Sequence, residues 1–215
     1  TVASTPSAAS FPLASMAESD GAAYNYWRAL GTNFELLGIE DGAGSIISFT
    51  NSAIAASFPI NFGYSNTDTF GGPVSVTTTT GTVNGTIQTN ATGSGTVTLP
   101  GSLVFTNCLQ LRTVNTMTIL VGVFPSSFTL NTISTDYNYY NGAQKFPILT
   151  VSYNRETATT ILGTTVTVTS DIKINNAVLT GINDLNFDAL NYNVYPNPAT
   201  ESVNIDLTNN STESV

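Results

Sequence analysis

Apolar and polar residues alternate with a period of two along much of this chain. The cleanest stretch is 165–174, where Val166, Val168, Ser170, Ile172 and Ile174 fall on one side and Thr165, Thr167, Thr169, Asp171 and Lys173 on the other. In a strand successive side chains point to opposite faces, so this pattern predicts a strand with one buried and one wet face. The run at 146–154 is its expected partner, with the turn between 154 and 159. Other runs rich in β-branched and aromatic residues lie at 34–38, 44–50, 73–80, 81–89, 93–99, 103–105 and 108–123, separated by Gly, Asn and Pro, including the turn dipeptide Pro100-Gly101. The segment 24–30 reads as a strand in preference to a short helix because Tyr24, Tyr26 and Arg28 alternate with their neighbours, whereas 1–23, rich in Ala, Ser and Thr with Pro6 and Pro12, reads as irregular or weakly extended.

No long amphipathic helix pattern is present, and Thr, Asn and Ser replace the charged residues, which make up only 9% of the chain. Such side chains suit strand faces and turns and are poor in helix interiors. The expected fold class is all-β, a β-sandwich or jelly-roll-like pair of layers. A hydrophobic content of 41% is enough for a packed core.

Charge narrows the partners. Five basic residues against fourteen acidic ones give a net charge of -9, which disfavours nucleic acid and anionic membrane surfaces. The absence of histidine removes Ser-His-Asp and Cys-His catalysis and imidazole metal sites from these 215 residues. The single cysteine, Cys108, sits in a strand-like run and reads as a small buried hydrophobe. No run of 18 or more apolar residues is present, as a membrane-spanning helix requires. The N-terminus has no signal-peptide pattern, so Thr1 reads as the start of a processed or partial chain.

Candidate chemistry is sparse. Calcium takes loop carboxylates together with amide and backbone oxygens, and the best candidates are Glu40 and Asp41, followed by Gly42, and Asp68 in Asn66-Thr67-Asp68. The alternative for all three is turn formation. Trp27, Tyr137 and Tyr139 are candidate contacts for a surface polysaccharide, set against ordinary cross-strand packing. Tyr137 and Tyr139 share a strand face and Tyr140 points the other way. Glu35, Glu40, Asp41, Asp68, Asp136 and Glu156 show no spacing characteristic of a paired-carboxylate enzyme. Asn84-Gly-Thr and Asn90-Ala-Thr match the N-glycosylation pattern, and Asp68-Thr69-Phe70 resembles a Bacteroidetes O-glycosylation site.

After Gly181 the character changes. Residues 182–191 form an Asn/Asp-rich linker with few apolar positions, which divides a passenger at 1–181 from a C-terminal element at 182–215. Both prolines of Tyr195-Pro196-Asn197-Pro198 restrict φ and bias the preceding residue to extended backbone, and Val203, Ile205 and Leu207 then alternate as a strand. The run Val194-Tyr195-Pro196-Asn197-Pro198-Ala199-Thr200-Glu201, followed by Val203 and Ile205, resembles the opening of the type A C-terminal sorting domain of Bacteroidetes type IX secretion cargo. That resemblance implies a small β-sandwich sorting domain recognised by an outer-membrane translocon and a shuttle barrel, and a passenger exported through the periplasm and outer membrane to the cell surface or medium. The family's domain continues for several more strands, so the part read here is its first strand region. In the passenger, Phe58-Pro-Ile-Asn-Phe-Gly63, Asn107-Cys-Leu-Gln-Leu-Arg112 and 139–148 resemble segments of uncharacterised type IX cargo. The expectation is a non-enzymatic cargo whose passenger is otherwise a carbohydrate-binding module or a structural subunit of a surface layer or filament.

Overall fold

The computed structural model describes residues 2–19, 21, 23–76, 79–101, 103–122, 127–143 and 146–175, together with the backbone of 190–195 and 202–209. It is all-β apart from two single-turn 3-10 segments, Val2–Ser4 and Ala8–Ser10. The strands are β1 (Met16–Ser19), β2 (Tyr24–Leu30), β3 (Asn33–Glu40), β4 (Ile46–Ser57), β5 (Ser65–Val76), β6 (Thr79–Leu99), β7 (Leu103–Val121), β8 (Phe128–Asn141), β9 (Leu149–Thr160) and β10 (Gly163–Ile174). Two more, β11 (Leu190–Tyr195) and β12 (Ser202–Asn209), follow near the C-terminus. No helix among the described residues is long and apolar enough to cross a membrane.

From β1 to β10 the order across the sheet is the order along the chain. Each strand pairs antiparallel with the next. This is a meander, and the crossovers of a jelly roll are not made among these ten strands. Several strands are longer than their sequence punctuation suggests. β6 has 21 residues, roughly 70 Å of extended chain, and runs through Gly81, Gly85 and Gly93. Two of these glycines mark close approach: a Cβ on Gly85 would collide with the Phe70 ring that lies over it from β5, and one on Gly81 with the Leu120 carbonyl of β7. The run 103–105 and residues 108–121 of the next run are likewise parts of one strand, joined through an irregularity where Asn107 takes φ 56°, a conformation Asn tolerates better than most residues. Pro73 lacks an N–H for a ladder, and it sits where the β4–β5 register breaks between Ile47 and Asn51.

The buried apolar residues form two large clusters that lie on opposite faces of the sheet. One comprises Leu36, Ile47, Phe49, Phe70, Val83 and Ile119 with smaller neighbours. The other gathers Val97, Leu99, Cys108, Tyr139, Ile148, Leu149 and Val151. The β7–β8 ladder is unbroken from Val121↔Phe128 to Cys108↔Asn141. Ile119 and Cys108 are eleven residues apart on that ladder, an odd number, so they point to opposite faces. The same exchange shows in β7 burial, where even positions are exposed at Thr118 and Leu120 but buried at Cys108 and Gln110. On β6 the odd positions stay buried throughout because a bulge intervenes. Ala91 opposes Leu111 and Gly93 opposes Gln110, leaving Thr92 as the extra residue that turns the strand over. The sheet therefore closes on one face through β3–β7 and on the other through β6–β10.

The N-terminal segment, expected to be irregular or weakly extended, contributes the short strand β1 and a third small cluster. Phe11 is buried and stacks on Tyr26 with ring centroids 4.1 Å apart, and the Tyr26 hydroxyl donates to Thr5 Oγ1 at 3.0 Å. The expected pairing of β9 with β10 is present over twelve residue pairs, but its turn is the two-residue step Ile161-Leu162 and not 154–159. The expected buried face of β10 is only half realised. Ile172 and Ile174 pack on the second cluster, whereas Val166 is 50% and Val168 71% exposed. That cluster covers only the end of β10 opposite Leu149 and Val151.

Candidate functional site

β11 and β12 pair antiparallel from Leu190↔Asn209 to Tyr195↔Asn204. Val194 and Tyr195 end the first strand, and Val203 and Ile205 lie in the second. Pro196, Asn197, Pro198, Ala199 and Thr200 join the two and lie outside the described residues, as does the linker 182–189. The proline-bearing motif is thus bracketed by the two arms of a hairpin.

The hairpin meets the passenger on β6. Strand β5 covers β6 as far as Ser65↔Asn90. Backbone bonds from Gly63 N–H to Ala91 O (3.2 Å) and from Ala91 N–H to Tyr64 O (2.9 Å) extend that cover by one residue. Beyond Ala91 no residue of β5 or of the β4–β5 connection pairs with β6 among the described residues, and this side of the strand is open to a further partner. β12 pairs there in parallel, Ser202 with Thr96 and Val203 with Val97. Beside that edge an open cleft of about 500 Å³ lies between the β4–β5 connection at 60–62 and the β6–β7 positions 94–96 and 106–109. Phe62 on its wall is 66% exposed.

The aromatic candidates are not brought together. Trp27 on β2 stacks on Phe34 at 4.7 Å and donates its Nε1–H to Glu18 Oε2 at 3.2 Å. Tyr139 on β8 is 5% exposed, and its hydroxyl accepts from Gln110 Nε2 at 2.6 Å. Gln110 Oε1 in turn accepts from the Thr92 hydroxyl at 2.8 Å, at the β6 bulge. Burial pushes the Tyr139 phenol above its ordinary pKa even though the Gln110 bond opposes this. A buried ring offers no face to a sugar, so Tyr139 is a core residue. Tyr137 is half-buried and meets Tyr153 edge to face at 6.3 Å.

The acidic candidates serve the backbone. Asp41 Oδ1 accepts from the N–H groups of Ala43 (2.8 Å) and Ser45 (2.9 Å), shaping the β3–β4 turn. Partial burial raises its pKa, but the hydrogen bonds from Ser45 and Ala43 outweigh that and leave it below the ordinary aspartate value. Glu40 is buried; its Oε1 accepts from Gly42 N–H at 2.9 Å and its Oε2 has no hydrogen-bond partner. Asp68 lies on β5, where its Oδ2 accepts from Ile54 N–H at 2.8 Å while Asn66 Nδ2 donates to Ile54 O at 2.8 Å. These two side chains stitch β4 to β5 where the backbone ladder is lost. Among the described residues no three His, Cys, Asp or Glu side chains group as metal ligands.

Periodicity gave no sign of a buried ionic network in the first half of the sheet. Glu35 Oε2 on β3 accepts from Arg28 Nη2 on β2 and from the Ser52 hydroxyl on β4 (2.9 Å). Burial raises the Glu35 pKa, but the Arg28 and Ser52 hydrogen bonds and the Arg28 charge together hold it below the usual carboxylate value. The alternation of Tyr24, Tyr26 and Arg28 placed the arginine on a strand face, but its partner becomes legible only once β2 and β3 are paired. Cys108 is buried as expected, and burial pushes its thiol up, away from reactivity. No protein-family model, curated protein or solved structure matches this chain.

Proposed function

We propose that this chain is a cargo of the type IX secretion route, with residues from about 182 acting as its sorting element and 1–181 as the passenger. The observation that carries the reading is Tyr195-Pro196-Asn197-Pro198 followed by the alternating Val203, Ile205 and Leu207. The arrangement of β11 and β12 supports it, since the motif falls in the connection of a hairpin whose strands offer backbone for pairing. Recognition by the outer-membrane translocon and shuttle barrel then proceeds by strand addition, with the restricted Pro-Asn-Pro backbone setting the geometry. Replacing residues 195–198 by Gly and Ser in the full-length protein is expected to leave it in the periplasm. Fractionation that finds the variant in the medium or on the surface at wild-type levels would defeat this reading.

A second reading, a structural subunit in which copies join edge to edge, is favoured by β10. Among the described residues no strand lies on its outer side, and it carries no charge from Gly163 to Ser170. It is twelve residues long and pairs with β9 without a bulge, and its one lysine, Lys173, lies at the far end beside Asp171, so the devices that usually blunt an edge are missing from 163–170. Under this reading the protein self-associates with rising concentration and Val168→Lys returns it to monomer. Sedimentation showing a monomer for both at all concentrations would exclude it.

A further inference from the structure

The edge of β6 and the cleft beside it lie within the passenger, and the strand that follows the proline motif pairs with that edge. We infer that Gly93 to Leu99 of β6 is a strand-acceptor site on the passenger, and that its occupant is the start of this chain's own β12. Three separate features converge there. The β5 ladder and its one-residue extension end at Asn90 and Ala91, and among the described residues only β12 pairs with β6 beyond them on that side. A row of unpaired N–H and C=O groups at a strand edge is a template for a further strand. The backbone of β12 provides one, in parallel register at Thr96 and Val97. The cleft and the exposed Phe62 ring adjoin the same three β6 residues, 94–96.

The division of labour along β12 strengthens the assignment. Ser202 and Val203 pair with β6, whereas Asn204 to Asn209 pair with β11. The first two residues therefore serve the passenger and the rest serve the hairpin. A parallel ladder of two residues is a weak latch, because parallel pairing is slightly less stable per residue than antiparallel and each bond contributes little net. It holds the hairpin against the passenger yet exchanges readily. The docking stands on backbone geometry alone. Its consequence rests on the sorting reading: the strand must leave β6 before it can add to a sheet of the secretion machinery, so the passenger edge and the machinery compete for one segment.

Hydrogen exchange on the full chain tests the docking. Val203→Pro removes an N–H and introduces a ring at a position outside the β11–β12 ladder. Amides within 94–98 are expected to exchange roughly tenfold faster in this variant, with those of β8 and β9 unchanged. Unchanged exchange at 94–98 would overturn the site. An independent check is the pair Thr96→Cys and Ser202→Cys in a Cys108→Ser background. Directly paired residues of neighbouring strands lie within disulfide reach, so the cross-link is expected to form under native conditions far faster than in a control with cysteines at 86 and 202. Equal rates for the two pairs would also overturn the site. Both measurements use purified protein, so their failure leaves the secretion experiment to decide the sorting reading separately.

Discussion

Glu35 shows what a single residue contributes to this sheet. Its carboxylate is buried, and Arg28 and Ser52 from the two flanking strands supply the hydrogen bonds that keep it charged. Glu35→Gln leaves Arg28 half-buried without its counter-charge, so urea unfolding should show a loss of about 1.5–3 kcal/mol, the worth of hydrogen bonds to a charged group. The sign of the pH dependence follows from the lowered pKa. The stabilisation is fully present above the ordinary glutamate value of about 4.3 and is lost as pH falls through the depressed folded value. Wild-type stability should therefore decline on acidification below that point more steeply than that of Glu35→Gln, and parallel curves for the two would contradict the assignment. At this scale the sequence was informative about type and silent about partner. Cys108 was recognisable as a core thiol, and Tyr137 and Tyr139 as face-sharing residues, from local alternation alone. Nothing in that alternation distinguishes a tyrosine under a packed layer from one on open sheet, and Tyr139 proved to be the former.

At the scale of elements, the existence of strands was legible and their ends were not. Gly81 reads as a break between the runs 73–80 and 81–89, yet β6 passes through it and its missing Cβ lets the Leu120 carbonyl approach, as Gly85 inside the second run does for the Phe70 ring. Whether a glycine interrupts a strand or makes room for a neighbour depends on the neighbouring strand, which sequence spacing does not contain. The bulge at Thr92 was hidden for the same reason. Odd positions of β6 are buried on both sides of it, so the hydrophobic pattern continues unbroken while the strand changes face. β10 presents the reverse case: the clearest alternation in the chain, Val166 to Ile174, overstates burial, because period two records which residues share a face and not whether another layer covers it. The asymmetry of the two sheet edges belongs here too. β1 at one end is four residues long and carries Glu18, whereas β10 at the other is twelve residues long and nearly uncharged.

For the whole molecule, the consequence of the β6 bulge is a sheet with two cores back to back. Leu149 in one and Ile47 in the other share no cluster neighbours and lie on different faces. Leu149→Ala is expected to cost about 2–5 kcal/mol and Ile47→Val about 0.5–1.5 kcal/mol. With no shared partners the double variant should equal their sum within roughly 0.5 kcal/mol. A larger coupling in denaturant melts would mean that the two halves pack as one core. Placing the C-terminal hairpin on β6 is likewise a property of the whole chain, since it joins positions 96 and 202.

The sequence by itself determined the all-β class, the pairing of β9 with β10, the buried thiol and the proline-bracketed motif before an alternating strand. All of these rest on short-range chemistry: side-chain alternation, φ restriction at proline and the strand preference of β-branched residues. Only the tertiary structure decided which face each strand buries, where glycines admit a neighbour, that Arg28 meets Glu35, and that an edge of β6 is left open for β12. Those are long-range facts. They depend on register between residues distant in the chain, and a one-residue bulge suffices to exchange inside for outside without altering the pattern along it.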